Sequence, residues 1–143
     1  MGISLCMIVK NEQDWIVGCL ESVRSIIDEV IIVDTGSTDA TLARVQPFQP
    51  KIVHFTWNES FADARNASLL NARESWFLLL DADERIAAKD LSLIVKAAKS
   101  GPADAYHLIQ RNYVFENQMF GWTTNVSDYV EGEDYAGYVD NPL

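Results

Sequence analysis

Asp81 and Asp83 stand two apart at the end of the apolar run "WFLLLDADERI" (76–86). Along an extended chain such residues point to the same side, so both carboxylates can face one point just beyond a strand. A divalent cation, Mg²⁺ or Mn²⁺, relieves their repulsion and takes the rest of its shell from waters and substrate phosphates. The same acids also suit a helix start, where Asp83 or Glu84 complements the dipole. A second stretch, "VDTGSTD" (33–39), ends an apolar run in Asp34 and continues into a turn around Gly36. There a carboxylate can accept from a base N–H or a ribose hydroxyl, while the glycine lets the backbone approach closely. Ser37, Thr38 and Asp39 read equally as helix caps. Asp34 has no obvious partner in the sequence.

These groups need elements to hold them. "ISLCMIVK" (3–10), "EVIIVD" (29–34), "KIVHFTW" (51–57) and "WFLLLD" (76–81) are continuous apolar runs of strand length. Between them lie helical patterns: from Asn11 with Ile16, Val17, Leu20, Val23 and Ile27, then after Gly36, then 60–75 with Phe61, Ala64, Leu69 and Ala72 as inward positions. A fourth helix covers 88–101 and is ended by Gly101 and Pro102. Strands apolar throughout predict burial on both faces, and alternation with helices predicts a parallel sheet. The fold class expected is α/β, a three-layer α/β/α Rossmann-like, mostly parallel sheet. In such sheets ligands bind beyond the carboxyl ends of the strands, where Asn11–Glu12, 34–39, 58–65 and 81–85 converge. His54 and His107, in apolar segments, read as packed or edge residues.

Charge divides the chain. Residues 1–111 hold all 11 basic residues and 15 acids, whereas 112–143 hold six acids and no base. We therefore expect an α/β region over 1–111 and an acidic segment over 112–143. "DAYHLIQRNYVF" (104–115) and "GWTTNV" (121–126) suggest further strands, and "EGEDYAGYVDNPL" (131–143) reads as a chain interrupted in a loop. A net charge of −10 argues against nucleic acid or an anionic membrane surface as partner. No run approaches the ~20 apolar residues of a membrane span. Cys6 and Cys19 read as free, buried thiols, and with no visible signal peptide a cytoplasmic setting is expected.

Taken together and in order, "ISLCMIVKNE", "VIIVDTGSTD", "FADARNAS" and "WFLLLDADE" resemble the nucleotide-binding half of family 2 glycosyltransferases of the GT-A fold. The resemblance covers about residues 3–100. It implies transfer of a sugar from a nucleotide-diphosphate sugar, UDP-linked in the usual case, to an acceptor that is a saccharide, lipid or protein. It implies a nucleoside held by Glu12, Asp34 and Gly36, and a diphosphate near Arg65 with Asn66 in support. It also implies Mn²⁺ or Mg²⁺ on Asp83, with Asp81 beside it or nearer the ribose. Many members carry two acids after the second strand; here the second is Thr35, which loosens the expected uridine preference.

A cation and Arg65 suit the charge that develops on a departing diphosphate. By family analogy the displacement inverts, and it then needs a general base. The resemblance puts that base later in the domain. Asp128, Glu131, Glu133 and Asp134 are the late acids, and "EGED" sits early for the role, so the acceptor half is expected to be incomplete. The alternatives are a nucleotide-binding module without turnover and a metal-dependent phosphotransferase with Asp81 as nucleophile.

Overall fold

The computed structural model describes residues 2–114, 123–124 and 137–141. They fall into two compact units, Met1–Gly101 and Pro102–Leu143. The first contains β1 (Ile3–Val9), α1 (Ile16–Val23), β2 (Glu29–Asp34), α2 (Thr41–Val45), β3 (Lys51–His54), α3 (Phe61–Asn71), β4 (Trp76–Leu79) and α4 (Leu91–Ser100). All four strands are parallel, in the order β3-β2-β1-β4.

The two central strands carry the core. Leu5, Cys6 and Met7 of β1 and Ile31, Ile32 and Val33 of β2 are fully buried, so both faces are covered there. α1 presents Ile16, Cys19, Leu20 and Val23, the spacing of one helical stripe, to the alternate β1 residues Ile3, Leu5, Met7 and Val9. Each such side chain contributes roughly 1.5–3 kcal/mol on burial. Val45 of α2 and Leu91, Ile94 and Ala98 of α4 join the same cluster. The opposite face of β1 and β2 is covered by α3 through the small buried residues Ala64 and Ser68.

The outer strands depart from expectation. On β4 Leu78 enters the core, as does Leu80 just past its end, but Phe77 is 46% and Leu79 47% exposed. α3 packs mainly on β1 and β2, so among the described residues the all-apolar β4 keeps one face partly exposed. Helix α1 also begins later than the pattern from Asn11 suggests. Asn11 adopts φ +56°, a left-handed conformation that a helix cannot include, and residues 11–15 form a loop. Phe61 does not point inward but is 71% exposed, and the helix is buried through Ala64 and Ser68 instead.

The second unit holds β5 (Gln110–Val114), β6 (Thr123–Thr124) and β7 (Gly137–Asn141), antiparallel in the order β5-β7-β6. The end of the chain is thus not all loop. Gly137–Asn141 pairs with Val114–Gln110 residue for residue, and Tyr138–Val139 are residue types that favour strands. The change in charge balance at residue 112 falls inside β5.

Candidate functional site

The strand order reverses between β1 and β4. From β1 the chain steps outward to β2 and β3, then returns to the other side of β1 with β4. Loops leaving the two sides part at such a switch point and open a crevice. A cleft of about 610 Å³ lies there, lined among others by Lys10, Glu12, Phe61, Arg65, Asp81 and Asp83. Four of the residues expected to bind ligand therefore share one cavity.

One side of the crevice is stitched together. The Asn11 amide donates to Ser37 Oγ (3.0 Å), and the Thr38 amide donates to Asn11 Oδ1 (2.8 Å). The Glu12 amide donates to Thr41 Oγ1 (2.7 Å) and the Gln13 amide to Asp39 Oδ2 (3.2 Å). Ser37 and Thr38 thus bind the neighbouring loop rather than cap α2. Asp39 accepts from the Thr41 amide (2.9 Å) and hydroxyl. Partial desolvation raises its carboxyl, but these bonds and that from Gln13 outweigh it and hold Asp39 below the ordinary range. Asp39 therefore favours the fold above that range, and the contribution is lost as pH falls through its lowered value.

Asp34 is 4% exposed and, against expectation, has partners. Its Oδ1 accepts the Ser37 amide (3.0 Å), and its Oδ2 lies 3.6 Å from Nδ1 of His54, an exposed side chain at the end of β3. Asp34 pairs in register with Val9, a residue of the cleft wall, so it stands one strand away from the cavity. Gly36 follows at φ +107°. A Cβ there meets nothing within 4 Å, so Gly36→Ala is a purely conformational change. It is expected to cost about 1–2 kcal/mol in urea denaturation. Asn66 is exposed on α3 and does not line the cleft.

The other side carries the acids. Arg65 Nη1 donates to the Cys6 carbonyl (2.9 Å), and Nη2 lies 3.8 Å from Asp81 Oδ1. With Asp81 68% exposed this ion pair is worth at most about 1 kcal/mol, and it leaves the carboxylate open to a ligand. The Asp81 amide donates to Glu84 Oε2 (2.8 Å) and the Glu84 amide to the Asp81 carbonyl (3.0 Å), which closes a tight turn. Asp83 lies in that turn, well before the next helix, so it does not serve as a helix start.

α1 is the platform beneath this turn. The Cys19 thiol donates to the Asp81 carbonyl (3.4 Å), and Ser22 Oγ accepts the Ile86 amide (3.2 Å). A Cβ on Gly18 would fall 2.7 Å from the Arg85 guanidinium, so that side chain lies directly on the helix. Glu84 and Arg85 thus brace the acidic turn. Burial, then the charges of Glu84 and Asp83, push the Cys19 thiol up to about 12. The cysteine is a neutral thiol at pH 8, and both cysteines are buried and free. Neither is expected to react with iodoacetamide in the native protein at that pH, whereas both react in urea; mass spectrometry reads the difference.

The field in the cleft is negative. Burial first, then Asp83, Asp39 and Asp81, raise the Glu12 carboxyl above its ordinary value. Burial likewise raises Glu84, and of its neighbours the Asp81 amide lowers it while Asp81 and Asp83 raise it. Ionised carboxylates here are held at a cost that a cation relieves. Among the described residues no three His, Cys, Asp or Glu side chains are arranged to hold a metal alone. Two carboxylates at a ligand cleft nevertheless suit Mg²⁺ or Mn²⁺, which retain waters and phosphate oxygens.

The model of the family described as "Glycosyl transferase family 2" matches residues 4–137. The chain belongs to that family. Among curated proteins it is 43% identical over 84 residues to a TPR repeat-containing protein of Synechococcus elongatus, covering 59% of this chain and 21% of that one. It is 32% identical over 99 residues to the prophage-derived glycosyltransferase SunS of Bacillus subtilis, covering 68% of this chain and 24% of SunS. Among solved structures, residues 1–349 of S. aureus TarS in complex with UDP share 25% identity and a TM-score of 0.56, over 67% of this chain and 32% of TarS. The chain thus spans about a fifth to a third of the length of these proteins. The sheet is of the GT-A type.

Sequence reasoning missed the Asp39–Thr41 lock, Lys10 on the cleft wall and the outward turn of Phe61. The last had a signal, since Phe61 directly follows the cap Ser60 in a helix whose buried positions are small.

Proposed function

We propose that this chain is the donor-binding part of a glycosyltransferase that moves a sugar from a UDP-sugar, with Mn²⁺ or Mg²⁺, to a saccharide, lipid or protein acceptor. One observation carries the reading: the cleft at the β1/β4 switch point brings Arg65, Glu12, Asp81 and Asp83 together. The UDP held by TarS supports the donor class. In this reading Asp83 and Asp81 hold the metal, whose charge when bound offsets that of the departing diphosphate. Arg65, fixed by the Cys6 carbonyl, presents its guanidinium to the same phosphates. Glu12, Asp34 and the Gly36 turn hold the nucleoside, and Asn66 of the "ARN" segment supports Arg65 at the diphosphate. The candidate bases Asp128, Glu131, Glu133 and Asp134 lie outside the described residues.

The test is thermal. UDP with Mn²⁺ at about 100 times the dissociation constant should add about 2.7 kcal/mol of stability, where either alone adds less. No metal-dependent shift with any nucleotide sinks the proposal. Turnover with supplied acceptors, against tight binding without turnover, then separates the transferase from a pure binding module.

A further inference from the structure

We propose that Phe61, braced by Trp57, is the stacking surface for the heterocyclic base of the nucleotide. The inference rests on the nucleotide reading of the cleft and adds a residue to it.

Phe61 is the one aromatic side chain among the described residues that line the cavity. It is 71% exposed, while the core of its own helix is served by Ala64 and Ser68. Packing therefore does not explain a large apolar ring at that position. The ring is nonetheless held in place. Trp57 meets it edge to face, with centroids 4.8 Å apart and planes at 69°. Such a contact uses at most one of its two faces. The segment between the two rings is fixed by its own hydrogen bonds: Asn58 Nδ2 to Asp63 Oδ2 (2.7 Å), the Ser60 amide to Asn58 Oδ1 (3.2 Å) and the Asp63 amide to Ser60 Oγ (3.2 Å). An aromatic held before binding loses little freedom when a ligand arrives.

Placement matches a nucleotide. Phe61 and Arg65 are four residues apart on α3 and so share a face, about 6 Å apart along the axis. A base lying on Phe61 would leave its ribose to bridge one helical turn and its phosphates beside the guanidinium. Lys10, Glu12, Arg65, Asp81 and Asp83 are charged and suit phosphate, cation or hydroxyl groups, and the other lining residues are aliphatic, with no ring to stack on. The base is the planar, apolar part of the ligand, and Phe61 is its match. Every base has a π-face, so the contact adds affinity without choosing among bases.

The experiment titrates the full chain and its variants with UDP and with inorganic pyrophosphate, each with Mn²⁺, by calorimetry. Phe61→Ala should weaken UDP about 10-fold or more and leave pyrophosphate within about twofold. Phe61→Tyr should restore UDP binding, and Trp57→Ala should give an intermediate loss. Because Phe61 is exposed and its one ring contact is with Trp57, Phe61→Ala should lower the ligand-free melting temperature only slightly, and no more than Trp57→Ala does. UDP binding by Phe61→Ala within twofold of wild type overturns the proposal. So does an equal loss for UDP and pyrophosphate, which would place the effect on the phosphates or the fold. If UDP-sugar weakens and UDP does not, the ring contacts the sugar and the base assignment falls. A wild-type chain that binds no UDP removes the nucleotide reading itself, which is distinct from all of these.

Discussion

Asp83→Asn should abolish the Mn²⁺-dependent part of UDP binding while leaving the ligand-free protein at least as stable as wild type. The two halves of this result have one cause. Asp83 adds negative charge to a cleft in which Glu12 and Glu84 are already raised by burial and by neighbouring acids. Removing that charge lets both glutamates fall back toward their ordinary values, which relieves the folded state at neutral pH. The same change removes the carboxylate that a cation needs. The melting temperature should therefore be unchanged or higher without ligand, and the gain of about 2.7 kcal/mol with UDP and Mn²⁺ should vanish. A variant that loses binding because it is unfolded gives the opposite ligand-free result, so one pair of melting curves separates the two causes. Retention of the full metal-dependent gain would remove Asp83 from the metal site.

Arg65→Met is expected to have the next largest effect, on affinity and on stability together. Its Nη1 holds the Cys6 carbonyl at 2.9 Å and its Nη2 faces Asp81 at 3.8 Å. Loss of a charged donor to phosphate costs about 1.5–3 kcal/mol, or roughly 10- to 150-fold in UDP affinity. The abandoned carbonyl adds about 1 kcal/mol of lost stability, read as a lower urea midpoint at constant slope. Arg65→Lys should recover only part of the affinity, since an ammonium is a point charge without the planar fork of donors. Equal UDP binding by all three proteins would place the phosphates elsewhere.

The sequence is most readable where one physical requirement acts alone. β1 and β2 are buried on both faces at their centres, where every residue from Leu5 to Met7 and from Ile31 to Val33 is core, so their positions follow from composition; β2 begins and ends at the residues expected. β4 looks the same in sequence, yet half of it is exposed, because periodicity says nothing about how far a helix on the far face reaches. Strand order is equally silent in periodicity, and the switch point that puts Glu12 beside Asp83 appears only in the fold. Residue types made the acids of 81–84 legible, and their position at a strand end held. The loop at 11–13 was not legible. A left-handed Asn11 and its bonds to Ser37 and Thr38 are pairings across 26 and 27 residues, which no local pattern encodes. Phe61 was misread because helical spacing alone assigns large apolar residues inward, whereas Ala64 and Ser68 occupy that side.

The order β3-β2-β1-β4 also sets a timetable for assembly. β1 meets β2 after a gap of about 25 residues but meets β4 only after about 73, as the pairs Ser4–Glu29 and Ser4–Phe77 show. Closing the longer loop is slower, and a growing chain emerges from its N-terminal end. The stitched side, with Asn11 bonded to Ser37 and Thr38, can therefore form while β4 is still being made. The acidic turn at 81–84 comes last, onto an α1 already in place. A ribosome-bound chain halted with residue 60 exposed should protect the amides of β1 and β2 from hydrogen exchange, while a chain lacking the segment from Trp76 onward never builds the second wall of the cleft.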